Sequence, residues 1–197
     1  GLFLSTGGAL FKLFENQDVW TIYFWRSFFF TPAVLLFLFF TSKKQVIKKF
    51  KSLGLIGIIC GALYASGSGA YMFAMKYTTV ANVLFIISTQ TFMLAIGGYF
   101  ILKEKINIST AIAIIMASVG IYIMIGTKVS NGTMLGNSLA FITPLCFTSI
   151  VMIIRKYKQI DMVPAVALSG VICMIVGALL SKDLTLNTHD LFLAFLF

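Results

Sequence analysis

Charged residues are scarce in this chain of 197 residues: they make up 11% of the sequence, whereas a soluble domain carries about 25%. Too few are present to cover a water-facing surface, which excludes an ordinary soluble domain. The single histidine, His189, stands in a polar turn beside Asp190, so no nucleophile–base pair is visible inside an apolar run. A phosphate-binding loop of the form G-x-x-x-x-G-K-S/T is also missing, which argues against a nucleotide-driven machine.

Cysteine is equally sparse, and all three cysteines, Cys60, Cys146 and Cys173, fall inside apolar runs. Their spacing matches neither a metal site nor a disulfide ladder, so we interpret them as small packing residues. The sequence predicts no bound metal and no cofactor.

Hydrophobic residues dominate, at 59% of the chain and a mean hydropathy of +1.00. A helix of about 20 apolar residues crosses a hydrocarbon core of roughly 30 Å. Six runs reach that length: Val19–Thr41, Leu53–Met75, Val80–Leu102, Ile106–Gly126, Met134–Ile154 and Met162–Leu180. Two partial runs, Gly1–Phe14 and Leu191–Phe197, bracket them, and the chain begins without methionine. We therefore expect an all-α integral membrane protein, a multi-helix transmembrane bundle that is a piece of a longer chain.

Basic residues alternate between the turns that join these runs. Counting Gly1–Phe14 as the first helix, every second turn is rich in Lys and Arg: Ser42–Ser52, Lys103–Lys105 and Arg155–Asp161 together hold ten, whereas the other turns hold three. Basic residues of short loops gather on the cytoplasmic side, so we place Ser42–Ser52 in the cytoplasm. Charge near anionic lipid explains the lysines, and we expect no nucleic-acid partner. The short turns also predict consecutive helices packed as antiparallel neighbours.

A weak internal repeat links the two parts of the chain. Asp18 aligns with Asp161, and the two stand five helices apart, one in an outside turn and the other in an inside turn. An odd number of helices per unit inverts the second copy, and inverted repeats are common in secondary transporters.

Several segments resemble the EamA-type branch of the drug/metabolite transporter superfamily. They are Lys12 late in the first helix, Phe24-Trp25-Arg26 in the second, Tyr71–Ala81 (YMFAMKYTTVA), and Leu102-Lys103-Glu104 with the small-residue helix Ile112–Gly126. One departure concerns the fourth helix, where that family usually has a proline and this chain has Ser88-Thr89-Gln90-Thr91.

The resemblance implies ten helices in two inverted halves of five, of which about seven to eight lie in this chain. Residues 1–126 are then the first EamA repeat, and 134–197 begin the second. It also implies a transporter, not an enzyme, that exports small metabolites or drugs. We expect it in the bilayer of a bacterial inner membrane, with a small-molecule substrate as its partner and a proton as one candidate coupling ion. A homodimer stays open.

Three charged residues are of interest. Lys12 and Arg26 lie within apolar runs, where charge is costly and usually faces the protein interior. For Lys12 the alternatives are a cavity-lining cation and a side chain that reaches the outer interface; for Arg26, deeper in its helix, we favour the cavity. Glu104 matches a glutamate of the family, and we interpret it as structural charge near a helix N-terminus.

Uncharged polar and aromatic residues complete the predicted cavity. Trp25 neighbours Arg26, Tyr64 and Tyr71 flank a glycine-rich stretch, and Gln90 with Thr91 falls mid-helix. A buried amide such as Gln90 needs partners across helices or in a wet cavity, so a binding role and a structural role stay open.

Small residues predict close helix packing. Gly57, Gly61, Ala65 and Gly69 recur every four residues in the third helix, as Ala165, Ser169, Cys173 and Gly177 do in the seventh. Gly67 with Gly69 also indicates local flexibility, either for a gate or for a cavity wall. Pro144 frees a carbonyl in mid-membrane.

A secondary transporter working by alternating access is therefore the leading hypothesis. The alternatives are an importer of a small metabolite or nucleotide-like solute, an intramembrane enzyme, which needs a base partner that the visible chain lacks, and a channel, which needs a polar ring from several subunits.

Overall fold

The computed structural model describes residues 2–15, 18–42, 46–103, 108–126, 133–157 and 161–196. These residues form helices and no strand. In chain order the helices are α1 (Leu2–Leu13), α2 (Val19–Ser42), α3 (Val46–Tyr77), α4 (Val80–Ser88), α5 (Gln90–Leu102), α6 (Ile108–Gly126), α7 (Met134–Lys156), α8 (Val163–Leu180) and α9 (Thr188–Leu196). The prediction of an all-α membrane bundle is confirmed.

Long apolar helices account for most of this architecture. By length and composition, five segments of the described residues are able to cross a membrane: Val19–Thr41, Lys49–Tyr77, Val80–Ile101, Met134–Lys156 and Val163–Leu180. They start and end within a few residues of five of the six predicted runs, because the polar turns that end each run also end each helix. The remaining run, Ile106–Gly126, begins outside the described residues and is not among the five segments. The chain is therefore an integral, multi-pass membrane protein.

Helix α3 starts earlier than predicted, at Val46 instead of Leu53, and bends near its start. Gly54 has φ 50° and ψ −149°, which is outside the helical region and open to glycine alone among the common residues. The lysine-rich segment before Gly54 is thus a short helical piece set at an angle to the span that follows.

The predicted fourth span, Val80–Leu102, is not one continuous helix. It divides at Thr89 into α4 and α5. The hydroxyl of Ser88 donates to the carbonyl of Phe85 and that of Thr89 to the carbonyl of Ile86, each at 2.6 Å. Such side-chain bonds compete with the helical ladder and bend helices. The interruption is confined to one residue, because Thr89 keeps helical dihedral angles (φ −63°, ψ −15°) and its N–H donates to the carbonyl of Ile86. Ser169 makes the same kind of bond, to the carbonyl of Val166, inside the continuous helix α8, so the hydroxyl bonds accompany the interruption and are not by themselves its cause.

Contacts between distant parts of the chain hold the bundle together. Among consecutive helices of the described chain, contacts join α2 with α3, α3 with α4 and α4 with α5, so the prediction of neighbouring consecutive helices holds for these pairs and not for the whole bundle. The most extensive contacts join α3 with α7, α2 with α8 and α3 with α8. One buried core includes Tyr23 of α2, Met72 of α3, Val83 of α4, Ala140 of α7 and Cys173 of α8. The described residues on either side of 127–132 consequently share a single interior.

The two predicted sets of turns meet at opposite ends of the bundle. At the basic end, the Lys49 Nζ lies 2.6 Å from Oδ2 of Asp161. This hydrogen bond, with a second from the backbone N–H of Val163, holds the pKa of Asp161 below its ordinary value. At the other end, the backbone N–H of Lys182 donates to Asp18, and that of Thr133 donates to the carbonyl of Tyr77.

Candidate functional site

A cavity of about 290 Å³ lies between α2, α3, the α4–α5 break and α7. Polar side chains and two apolar ones share its lining, which consists of Arg26, Tyr64, Ser68, Tyr71, Ile87, Gln90, Thr143 and Phe147. Its volume is close to the lower limit of about 300 Å³ for ligand pockets. We call it the Arg26 cavity.

Arg26 is the charged residue in the part of this lining that the structure describes. Arg26 follows Asp18, which directly precedes α2, by eight residues. At a rise of 1.5 Å per residue this separation is roughly 12 Å along the helix axis. The side chain is half-buried, and its Nη1 donates to the Ser68 hydroxyl at 3.1 Å. Insertion of an arginine at such depth costs at least about 2.5–3.5 kcal/mol, which marks the position as a functional candidate.

Helix α3 supplies three lining residues at helical spacing. Tyr64, Ser68 and Tyr71 follow one another at i, i+4 and i+7, so they occupy one face of the helix. The Tyr64 ring meets the Phe147 ring edge to face, with centroids 5.3 Å apart. This contact joins the α3 face to α7 and closes one side of the cavity.

The break at Thr89 positions the remaining wall. Ile87 precedes it and Gln90 begins α5, so the two side chains reach the cavity from different helices. Thr143 of α7 also lines the cavity; its side chain is buried, and its hydroxyl donates to the carbonyl of Gly67 at 3.2 Å.

A much smaller space of about 20 Å³ adjoins Arg26 on the α8 side. It shares Arg26, Tyr64 and Ser68 with the first cavity and adds Ser169 and Cys173 of α8. About 10–15 Å³ suffices for one water, so this space has room for a single water molecule beside the guanidinium.

Buried hydrogen bonds fix the scaffold behind the cavity. The Tyr23 hydroxyl donates to the carbonyl of Ala65 at 2.6 Å and also lies 2.9 Å from the Cys173 Sγ. Tyr23 thereby ties α2 to α3 and α8 at once. Each such bond limits how far Arg26, one turn further along α2, is able to move.

Three of the four glycines named in the sequence lie beside a neighbouring helix. A Cβ added at Gly67 would lie 3.0 Å from the Cβ of Cys146, and one added at Gly61 would lie 3.5 Å from the carbonyl oxygen of Ala165. Gly69 faces the Tyr23 ring, whereas Gly57 faces Leu53 of its own helix. Helix α3 stays helical through this stretch, and a gating role for Gly67 and Gly69 stays a prediction.

Pro144 is fully buried in α7, next to Thr143. It lies in the layer where α7 meets α3.

Four of the seven predicted cavity residues come together: Arg26, Tyr64, Tyr71 and Gln90. The other three lie elsewhere. Lys12 is exposed in the last turn of α1, and Thr91 is exposed on α5. Trp25 Nε1 donates to the carbonyl of Leu184 at 2.7 Å, which anchors α2 to the segment before α9. Glu104 lies outside the described residues.

Sequence reasoning did not select Ser68, Ile87, Thr143 or Phe147. Ser68 had a usable signal, because it falls midway between Tyr64 and Tyr71 on one helical face. Thr143 and Phe147 are four residues apart on α7, but nothing in the sequence says which helix that face meets.

A second cavity of about 410 Å³ lies between α3, α5 and α7, nearer the basic end. It is mainly apolar, with Ile56 and Ile59 from α3 and Met152 from α7, and Lys156 and Tyr157 belong to its lining. We call it the Lys156 cavity. Within the described residues, no three His, Cys, Asp or Glu side chains come together as metal ligands would.

Comparison with known proteins adds one finding to this geometry. No curated protein and no solved structure matches the chain. A family model, that of the EamA-like transporter family, matches residues 1–126, which is more than half of the sequence and ends at the last residue of α6. The chain therefore belongs to the EamA-like transporter family, and it is a membrane transporter of the drug/metabolite transporter superfamily.

Proposed function

We propose that this transporter is a secondary active exporter of small metabolites, and that the Arg26 cavity is its substrate site. The observation that carries the proposal is the cavity itself: a mid-membrane guanidinium, two phenols, an amide and two hydroxyls face one space of about 290 Å³. A polar, charged lining at this depth is costly in a bilayer, and such residues mark substrate paths.

We propose alternating access between two inverted repeats, and the match of Asp18 with Asp161 supports this pairing. Asp18 accepts from the backbone N–H of Trp20 at 3.2 Å, and Asp161 accepts from that of Val163 at 3.1 Å. The two aspartates thus make the same i+2 turn, one at the start of α2 and the other at the start of α8, at opposite ends of the bundle.

Two of the contacts between the proposed repeats agree with the same pairing, whereas the contact of α2 with α3 has no comparable counterpart between α8 and α9 among the described residues. In the proposed repeat, α1, α2 and α3 correspond to α7, α8 and α9. The contact between α3 and α8 then has an equivalent contact between α9 and α2. The contact between α3 and α7 has an equivalent contact between α9 and α1. Both equivalent contacts are present. Rocking of one half against the other around a fixed central site is the usual mechanism of such folds.

Orientation follows from charge. The end that holds Lys49 and Lys156 faces the cytoplasm under the positive-inside rule. We place the protein in the inner membrane of a bacterium, where export moves solute away from the basic end.

Untargeted metabolite profiling of cells and medium tests the function. Hosts expressing the protein, its Arg26→Leu variant or its Lys182→Gln variant are compared at equal membrane levels. Lys182 is an exposed charge at the non-basic end, so its loss is the matched control. We expect one class of small metabolite to accumulate in the medium with the protein and with Lys182→Gln, but not with Arg26→Leu.

Other results are equally informative. Depletion of a solute from the medium identifies an importer and contradicts export. Equal profiles for the protein and Arg26→Leu remove Arg26 from the substrate site.

A further inference from the structure

Among the residues that the structure describes, the lining of the Arg26 cavity carries one positive side chain and no carboxylate. The Thr143 hydroxyl already donates to the carbonyl of Gly67, but the hydroxyl of Ser68, the phenols of Tyr64 and Tyr71 and the amide of Gln90 accompany the guanidinium. All of these groups are able to donate hydrogen bonds, and a guanidinium presents its donors as a planar fork that matches a carboxylate. The cavity thus offers donors and positive potential.

We propose that the transported solute is a small organic anion with an apolar body, and that its carboxylate or similar group binds at Arg26. This inference rests on the transport function proposed above and names the substrate class. An anion in this cavity neutralises the guanidinium charge, whereas a cation places like charge beside it. Both effects are strong in the low dielectric of a membrane interior.

The apolar half of the lining accounts for the rest of the ligand. Ile87 and Phe147 face the same space as the donors, and Tyr64 holds the Phe147 ring edge-on. A flat apolar group has these surfaces to pack against while its anionic end reaches Arg26. The volume of about 290 Å³ favours a solute with one small ring over a nucleotide.

On this proposal, the Lys156 cavity is the route by which the anion reaches Arg26 from the basic end. It is lined by the same three helices, α3, α5 and α7, but by residues nearer their basic ends: Ile56 and Ile59 precede Tyr64 on α3, and Ile101 follows Gln90 on α5. Lys156 belongs to its lining near that end, with Nζ 5.9 Å from the centre of the Tyr157 ring. A cation at a cleft entrance concentrates anions from solution.

A direct binding measurement tests the anion specificity of the cavity independently of transport. The purified protein in nanodiscs is titrated with three probes of similar shape and different charge: phenylacetate, phenylacetamide and 2-phenylethylamine. We expect phenylacetate to bind about tenfold or more tightly than phenylacetamide, because charge-assisted hydrogen bonds to a guanidinium are roughly twice as strong as neutral ones. The amine is expected to bind weakest.

Variants assign the preference to residues. Arg26→Gln should remove the preference for phenylacetate. Arg26→Lys retains the positive charge and should keep part of the preference, which would show that a substitution at this position leaves the protein folded. Lys182→Gln should keep the full preference. Lys156→Gln should lower phenylacetate affinity about two- to threefold and flatten its dependence on salt, whereas Lys51→Gln, an exposed charge at the same end, should not.

The inference is overturned if phenylacetate binds no more tightly than phenylacetamide. It is also overturned if neither compound binds. A preference that survives Arg26→Gln overturns it as well. If profiling instead identifies an exported cation or neutral solute, the proposed transport function is supported and the proposed anion specificity is contradicted. If no solute is transported but the protein still binds phenylacetate more tightly than phenylacetamide, the transport function is contradicted and the anion-binding site is supported.

Discussion

Lys49 and Asp161 form an ion pair of 2.6 Å that joins the start of α3 to the segment before α8. The two side chains are 28% and 36% exposed, so water screens the pair. It nevertheless links two helices from different parts of the chain at the basic end, where Asp161 also begins the turn into α8.

Asp161→Asn should lower stability at neutral pH by about 0.2–1 kcal/mol, the range of exposed ion pairs. Asn keeps an acceptor for the Val163 N–H but loses the charge. Because the pKa of Asp161 is lowered by folding, its contribution is present above its ordinary value of about 3.9 and is lost as the pH falls through the lower folded pKa.

Thermal unfolding in detergent at pH 7 and along an acid series checks this, and the variant should lose less stability on acidification. In a Lys49→Met background, Asp161→Asn should change little. A full effect in that background would show that the ion pair is not the cause.

Gly177→Ala should destabilise the bundle by about 1–3 kcal/mol, as expected for overpacking. A Cβ at this position would lie 2.9 Å from the Cβ of Phe24 and 3.0 Å from its backbone, which does not give way easily. Gly61→Ala is the control, because its Cβ would have its nearest neighbours at 3.5 Å and alanine favours a helix over glycine by up to about 1 kcal/mol. Thermal unfolding of the two variants measures this difference. Equal unfolding temperatures for Gly177→Ala and Gly61→Ala would contradict the close packing of α2 on α8.

Tyr23→Phe should cost about 1 kcal/mol, the net value of a typical hydrogen bond. The substitution removes the hydroxyl that bonds Ala65 and Cys173 and leaves the ring in place. Tyr99→Phe is the matched control, since Tyr99 is 51% exposed. An unchanged unfolding temperature for Tyr23→Phe would show that the link between α2, α3 and α8 is not stabilising.

Thr89→Ala should straighten the junction of α4 and α5. Without the hydroxyl bond to Ile86, the backbone recovers the ordinary helical pattern, and amide hydrogen exchange at residues 90–93 should slow. Ser138→Ala removes a similar bond, from Ser138 to the Met134 carbonyl, in an unbroken helix and should leave those amides unchanged. Faster exchange at 90–93 would mean that the hydroxyl protects the junction and does not break it.

Helix positions were predictable from the sequence because apolar runs and polar turns alternate with few exceptions. The division at Thr89 was not, since hydroxyls in mid-helix either bond the backbone or face a neighbour, and only coordinates tell which. Small-residue stripes marked the packing faces of α3 and α8 but not their partners.

For the cavity, Arg26 and Gln90 stood out as polar groups in apolar surroundings. Thr143 and Phe147 did not, because an ordinary threonine and phenylalanine become informative only when α7 is known to face α3. Their places in the site depend on contacts between residues far apart in sequence, such as the bond from Thr143 to Gly67.

That bond also sets an order of events during synthesis. Thr143 and Gly67 are 76 residues apart, and ribosomes add about 5–20 residues per second, so α3 waits roughly 4–15 s in the bilayer for its main partner. During that time Gly67, which packs on α7, and Gly61, which packs on α8, lack these partners. Any factor that shields these glycines, or any slowing of translation between α3 and α7, therefore acts on the yield of assembled transporter without touching a residue of the substrate cavity.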